Sequence, residues 1–276
     1  MPSSSLQLAL ALGLLAIAAV HGAAPTTNAV NEWSNTPDAN GVFTASGGEV
    51  TDCTADMDVF PNKAKVSFGN FSVEYKKTYK IVTNKGYTPV VKYLLWQRGC
   101  PKPADADDTT KYAASFEVPL RSVALTSSTY FGALEVMGER AALKLIDDFN
   151  VYSSSPCVHE QLDKGSTVLA SALWEADLGF YTVPDATSGV KVANKKLNDL
   201  KIEASFASCS WDTITEKCVS YKSLPGLVYV ADTRETTFYA QGEWIEYHGL
   251  FFNRESKVMD VTDMARERWL CHSASK

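Results

Sequence analysis

Histidine is scarce in this chain, clustered basic charge is missing, and the common catalytic signatures are absent. Only four histidines, His21, His159, His248 and His272, occur among 276 residues, none at metal-pair spacing from another, which argues for structural or exposed roles. No lysine or arginine run is long enough to follow a phosphate backbone. With 26 basic against 32 acidic residues, a net charge of −6 and a pI near 5.3, nucleic acid is excluded as a partner class. The chain carries no G-x-S-x-G elbow, H-E-x-x-H helix, Walker loop or G-x-G-x-x-G fingerprint, and His159-Glu160 has no second histidine four positions after the first. These absences point away from catalysis. A serine hydrolase using Ser127 with His159 as base is the alternative, although nothing in the sequence brings the two together.

The amino terminus is informative even though it contains no lysine or arginine ahead of its apolar run. Leu6 to Val20 is apolar and meets small residues at Gly22, Ala23 and Ala24, the pattern of a secretory signal peptide; the run is shorter than the about 20 residues of a membrane span. The six cysteines, Cys53, Cys100, Cys157, Cys209, Cys218 and Cys271, form no C-x-x-C pair. Their even number in a secreted chain predicts disulfides, with Cys209–Cys218 the favoured pair because its short loop closes cheaply. Asn70-Phe71-Ser72 is a glycan acceptor site. A hydrophobic content of 45% supports a full core in one domain with appendages.

Residues 1–22 are read as the signal peptide and 23–48 as a linker rich in Thr, Asn, Pro, Ser and Gly. A β-rich extension is predicted over 49–110, with strands around Val66–Phe68, Phe71–Tyr75, Tyr79–Thr83 and Val91–Trp96 in an antiparallel layer. Residues 111–239 change rhythm. Val123-Ala124-Leu125 reads as a buried strand, Thr126 to Thr129 as a polar turn, and Tyr130 to Met137 as a helix stopped by Gly138. A second strand is expected around Phe149–Tyr152, followed by a helix from Cys157 to Asp163 ending at Gly165. Leu227 to Ala231 is a third strand running into Asp232-Thr233-Arg234-Glu235. Strands alternating with helices predict an α/β layer with a parallel sheet. Over 240–270, Trp244, Tyr247, Phe251, Val258, Ala265 and Trp269 share one helical face, predicting a single helix of roughly 40 Å with Glu243 early and Arg266 and Arg268 late, as the helix dipole favours. Residues 271–276 form a tail.

Three stretches carry a family resemblance: Asp52 to Lys63 continuing into Phe71–Tyr75 and Tyr79–Val82; Phe116 to Gly138; and Gly242–Tyr247 with Phe251–Glu255. Together they resemble the cobalamin and iron-siderophore class of periplasmic binding proteins, in particular its secreted eukaryotic relatives, some of which bind ferrichrome. The likeness implies the Rossmann-like amino-terminal lobe of a class III binding protein, ending in an inter-lobe helix and serving iron uptake alongside a membrane transporter or receptor. It also implies a second lobe beyond the helix. The sequence stops at Lys276, so it is expected to be either a truncated product or a single-lobed descendant. Apolar residues on more than one helix face favour truncation, leaving the face around Trp244, Tyr247, Phe251 and Val258 uncovered and ligand binding weak or lost.

Ligands of open α/β sheets lie beyond the carboxyl ends of parallel strands. That rule gathers Thr126, Ser127, Ser128 and Tyr130 after the first strand, Tyr152, Ser153 and Ser154 after the second, and Asp232, Thr233, Arg234 and Glu235 after the later one. Hydroxyls and helix amino termini hold carboxylate, hydroxamate or phosphate oxygens, and Arg234 adds a charge-assisted bond. The expected ligand is a ferric siderophore, haem or a corrinoid. Thr126 to Thr129 serve equally well as helix caps, and a lobe that binds nothing and acts only in assembly is the bland alternative.

Overall fold

The computed structural model describes residues 48–146, 155–169, 199–208 and 224–274. Its first sheet has the order β1-β2-β3-β4, built from Phe71–Tyr75, Tyr79–Asn84, Val91–Gln97 and Ala114–Val118. β1, β2 and β3 are antiparallel neighbours and β4 runs parallel to β3, so the expected antiparallel layer is a mixed sheet. The period of two along β2 turns Lys80, Val82 and Asn84 inward. Val66–Phe68 is not a strand. The amides of Ser67, Phe68 and Gly69 donate to the Glu243 carboxylate at 2.7–3.2 Å, so a side chain takes the bonds that a neighbouring strand would receive.

The second sheet is entirely parallel, in the order β7-β6-β5-β8-β9. It comprises β5 Val123–Leu125, β6 Leu143–Ile146, β7 Val168–Leu169, β8 Ala204–Ala207 and β9 Leu227–Tyr229. The strand-turn-helix reading holds after β5, where a 3-10 turn, Ser128–Tyr130, leads into α1, Phe131–Met137. Gly138 ends α1 at φ 77°, a left-handed cap that glycine adopts without a Cβ clash. A strand not expected from the sequence forms at Leu143–Ile146, where Leu143, Leu145 and Ile146 reach the core; the expected strand around Phe149–Tyr152 falls in residues 147–154, which lie outside the described set. α2, Pro156–Asp163, matches expectation. Ser155 caps it, Pro156 opens it, and Gly165 follows at φ 70°. These elements establish an α/β architecture.

The long terminal helix does not form as one rod. Asn253 adopts φ 53°, ψ 40°, a left-handed conformation in which asparagine is tolerated, and splits it into α3, Phe238–Phe252, and α4, Glu255–Ala274. The predicted face is not bare either: Trp244, Tyr247, Phe251 and Val258 are at most 2% exposed. Phe71 packs on Trp244 and Tyr247 from the first sheet, with ring centroids 5.1 and 5.3 Å apart. Phe251 meets Tyr93 and Phe116 on one side and Phe206 of the second sheet on the other. α3 therefore lies between the sheets, and its neighbours supply the cover assigned to a missing lobe. Glu243 is engaged by the 67–69 loop and by Arg266, at 3.2 Å, a tertiary role beyond any dipole preference.

A disulfide joins Cys53 to Cys100 with the Cα atoms 4.9 Å apart, tying the segment before β1 to the end of β3. Such a bond fits an oxidising compartment. Cys209 and Cys218 lie outside the described residues, and Cys157 and Cys271 are free thiols. Among the described residues no helix is long and apolar enough to cross a membrane.

Candidate functional site at the strand ends

The order of the parallel sheet fixes where a ligand site can form. From β5 the chain proceeds to β6 and β7 on one side, then crosses to β8 and β9 on the other. The chain thus switches sides between β5 and β8, and the carboxyl ends of the strands at such a switch point are where doubly wound sheets bind ligands; the connection leaving β8, residues 209–223, lies outside the described residues. Strand spacing of about 4.8 Å puts the end of β9 roughly 10 Å from the end of β5, so groups after β5, β8 and β9 can touch one small molecule.

After β5, Thr126 is buried and its amide donates to Phe206 O of β8 at 3.1 Å, lashing the two strand ends together. Ser127 is half-buried and caps the 3-10 turn. Its Oγ shares a 2.8 Å hydrogen bond with Thr129 Oγ1 and receives the Thr129 amide. Ser128 and Thr129 are exposed, whereas Tyr130 is buried with its ring 5.2 Å from His248. Ser127 and Ser128 thus stand at or near the surface and Tyr130 lies in the core beneath them. Ser208, half-buried, directly follows β8. Tyr152, Ser153 and Ser154 lie outside the described residues.

After β9 the chain makes a 3-10 turn, Asp232–Arg234. Arg234 Nε donates to Gly86 O at 2.7 Å and its guanidinium lies 5.3 Å from the Tyr87 ring, bracing the turn against the β2–β3 connection. Close approach demands glycine there: a Cβ on Gly86 would fall 2.4 Å from Ala231 Cβ. Glu235 is likewise committed, accepting from the Asn70 amide at 2.6 Å, from Asn70 Nδ2 at 2.8 Å and from Trp244 Nε1 at 2.8 Å. Asn70, the sequon residue, is exposed ahead of β1. Asp232 differs from both charged neighbours. It is 9% exposed, and its Oδ1 has no partner among the described residues. Burial raises its pKa, against the lowering effect of the Thr233 amide.

His248, one turn beyond Trp244 on α3, was not singled out by sequence. It is buried between Tyr130 and Phe206, both at 5.2 Å. Its Nδ1 lies 2.8 Å from Trp244 O, which requires the proton on Nδ1 because a carbonyl only accepts. Burial lowers its pKa to about 4, so the ring is neutral and supports the two strand ends from below. The signal was its i+4 spacing from Trp244; seven consecutive buried residues from Glu246 to Phe252 hide that spacing within an all-round apolar pattern. Among the described residues there is no group of three or more His, Cys, Asp and Glu side chains placed for a metal ion. The described residues at these strand ends supply hydroxyls and one partly desolvated carboxyl, groups able to hydrogen-bond a polar molecule. Neither the models of known protein families nor the curated proteins give a match to this chain.

Proposed function

We propose that this protein is a secreted ligand-binding protein that captures an iron chelate or similar molecule, of the ferric-siderophore, haem or cobalamin type, for uptake by a membrane transporter or receptor. The observation that carries the reading is the switch in strand order of the parallel sheet between β5 and β8, with Ser127 following β5 and Asp232, whose Oδ1 has no partner among the described residues, following β9. Hydroxyl donors suit the oxygen-rich surface of a hydroxamate chelate, and the Asp232 carboxyl accepts from ligand N–H or O–H groups. The resemblance to siderophore-binding lobes points the same way.

Trp244 is bonded to Glu235, three residues from Asp232, so its emission reports events at the site. Titrating the secreted chain with a ferric hydroxamate should give a saturable emission change, and bare ferric ion should give none. Ser127→Ala combined with Asp232→Asn should weaken binding about tenfold or more. No saturable change with hydroxamate, haem or corrinoid would overturn the reading. Labelling of Ser127 by a covalent serine probe, with ester turnover, would replace it with the hydrolase.

A further inference from the structure

At the carboxyl end of α3, against the first sheet, three side chains form a reactive set. Lys80 on β2, fully buried, points its Nζ at Asn253 Oδ1, 2.8 Å away, and at Glu255 Oε1, 2.5 Å away. The Phe60 ring centroid lies 4.8 Å from the same nitrogen, and Tyr75 OH donates to Glu255 Oε1 at 3.2 Å. The other carboxamide atom of Asn253, Nδ2, donates to Gln97 Oε1 at 2.7 Å. Glu255 Oε2 has no partner among the described residues. Lys80, Glu255 and Asn253 are all at most 2% exposed.

We infer that Lys80 and Asn253 are joined covalently, by an intramolecular amide formed between Lys80 Nζ and Asn253 Cγ with Glu255 as the proton carrier. A primary amine is inert towards a carboxamide in water because it is protonated and solvated. Here burial pulls the Lys80 pKa down against the opposing charge of Glu255, and the carboxylate stands ready to take the proton. The amine and its target are held together by the fold, which removes the entropy of encounter. Rotation of the last Lys80 methylenes carries Nζ from the plane of the Asn253 carbonyl to its face, and the lone pair attacks Cγ. Glu255 takes protons from Nζ and returns them to Nδ2 as general base and then general acid. The Cγ–Nδ2 bond then breaks. Of the three Lys80 ammonium protons, one remains on the new amide and two leave with Nδ2 as ammonium. Glu255 ends as the carboxylate it began as, and no oxidant or co-reactant is needed.

Three features favour this outcome over a simple buried ion pair. Glycine is the commonest residue in the left-handed position that ends a helix, yet here an asparagine fills it and directs its side chain inward to both Lys80 and Gln97. The nucleophile, the carboxamide and the carboxyl meet in one desolvated pocket beside two aromatic rings. The bond would also fasten β2 to the α3–α4 corner across 173 residues of sequence.

Mass spectrometry of the intact secreted chain tests this without any variant. The expected mass is one ammonia below that of the sequence, after the disulfides and any glycan are counted, and trypsin should fail to cut after Lys80 and yield a branched peptide containing Lys80 and Asn253. The Lys80→Arg variant should regain the full mass. Glu255→Gln, which keeps the shape of the pocket, should give a folded protein by circular dichroism with the branch lost or its formation slowed at least a hundredfold. Separate, unmodified Lys80 and Asn253 peptides from the wild type would overturn the proposal. A branch forming at the wild-type rate in E255Q would overturn the part assigned to Glu255.

Discussion

Glu246 and His248, two residues apart on α3, are both buried and respond to pH in opposite senses. Burial raises Glu246 to about 7, against the hydrogen bond from Thr262, with Glu243 adding to the rise. Its folded pKa exceeds its unfolded value, so the stability it contributes is full below about pH 4.5 and is lost as pH rises through 7. Wild type should therefore lose stability relative to Glu246→Gln between about pH 5 and 7 in urea titrations. His248 is depressed to about 4, so its contribution is full above about pH 6.5 and disappears as pH falls through 4. Against His248→Gln the wild type should weaken over that acid range; parallel pH curves would sink either assignment. A strand over Tyr79–Thr83 was legible from its β-rich composition, but nothing in that pattern shows that Lys80 and Asn84 face inward or names their partners. Asn253 and Glu255 meet Lys80 only after the chain has folded across a wide span, and Asp232 stood out in sequence only as one of a charged run.

At the scale of elements, the sequence carried most of the local structure wherever punctuation was chemical. Ser127 before α1 and Gly138 after it, and Ser155 and Pro156 opening α2, mark boundaries by capping and backbone freedom, which are local effects. The break in the terminal helix was missed because an asparagine costs a helix little on propensity alone; the turn at Asn253 is held by contacts from β2 and β3. The return of α4 onto α3 depends on a close approach. A Cβ at Gly249 would sit 2.7 Å from Val258 Cγ2, so Gly249→Ala should cost about 1–3 kcal/mol by overpacking. In a double-mutant cycle with Val258→Ala the two costs should be non-additive, the smaller side chain relieving part of the clash. Strict additivity would place the Gly249 effect elsewhere.

Over the whole molecule, the two sheets share one hydrophobic core. Phe71, Val82 and Tyr93 belong to the same buried cluster as Val123, Leu125, Phe206 and Trp244. Arg98 adds a polar link, bonding Glu117 at 2.7 Å and Glu203 at 2.9 Å. The sequence divides into a β-rich part and an α/β part by rhythm, but rhythm says nothing about whether two layers bury their faces against each other. Because they do, tryptophan emission and far-ultraviolet circular dichroism should report one coincident unfolding transition; two separated transitions would show independent units. Replacing Cys53 and Cys100 by serine should lower that midpoint, with a loss of about 2–4 kcal/mol from releasing the closed loop.

The enclosure of α3 by both sheets also bears on which sequences this fold admits. An ordinary surface helix tolerates change on its outer side every three or four residues. From Glu246 to Phe252 every position is buried, so there is no outer side on which substitutions accumulate. Variation along this segment is restricted at consecutive positions to exchanges that preserve volume and polarity, an unbroken block of constraint in a helix that outwardly carries no sequence motif.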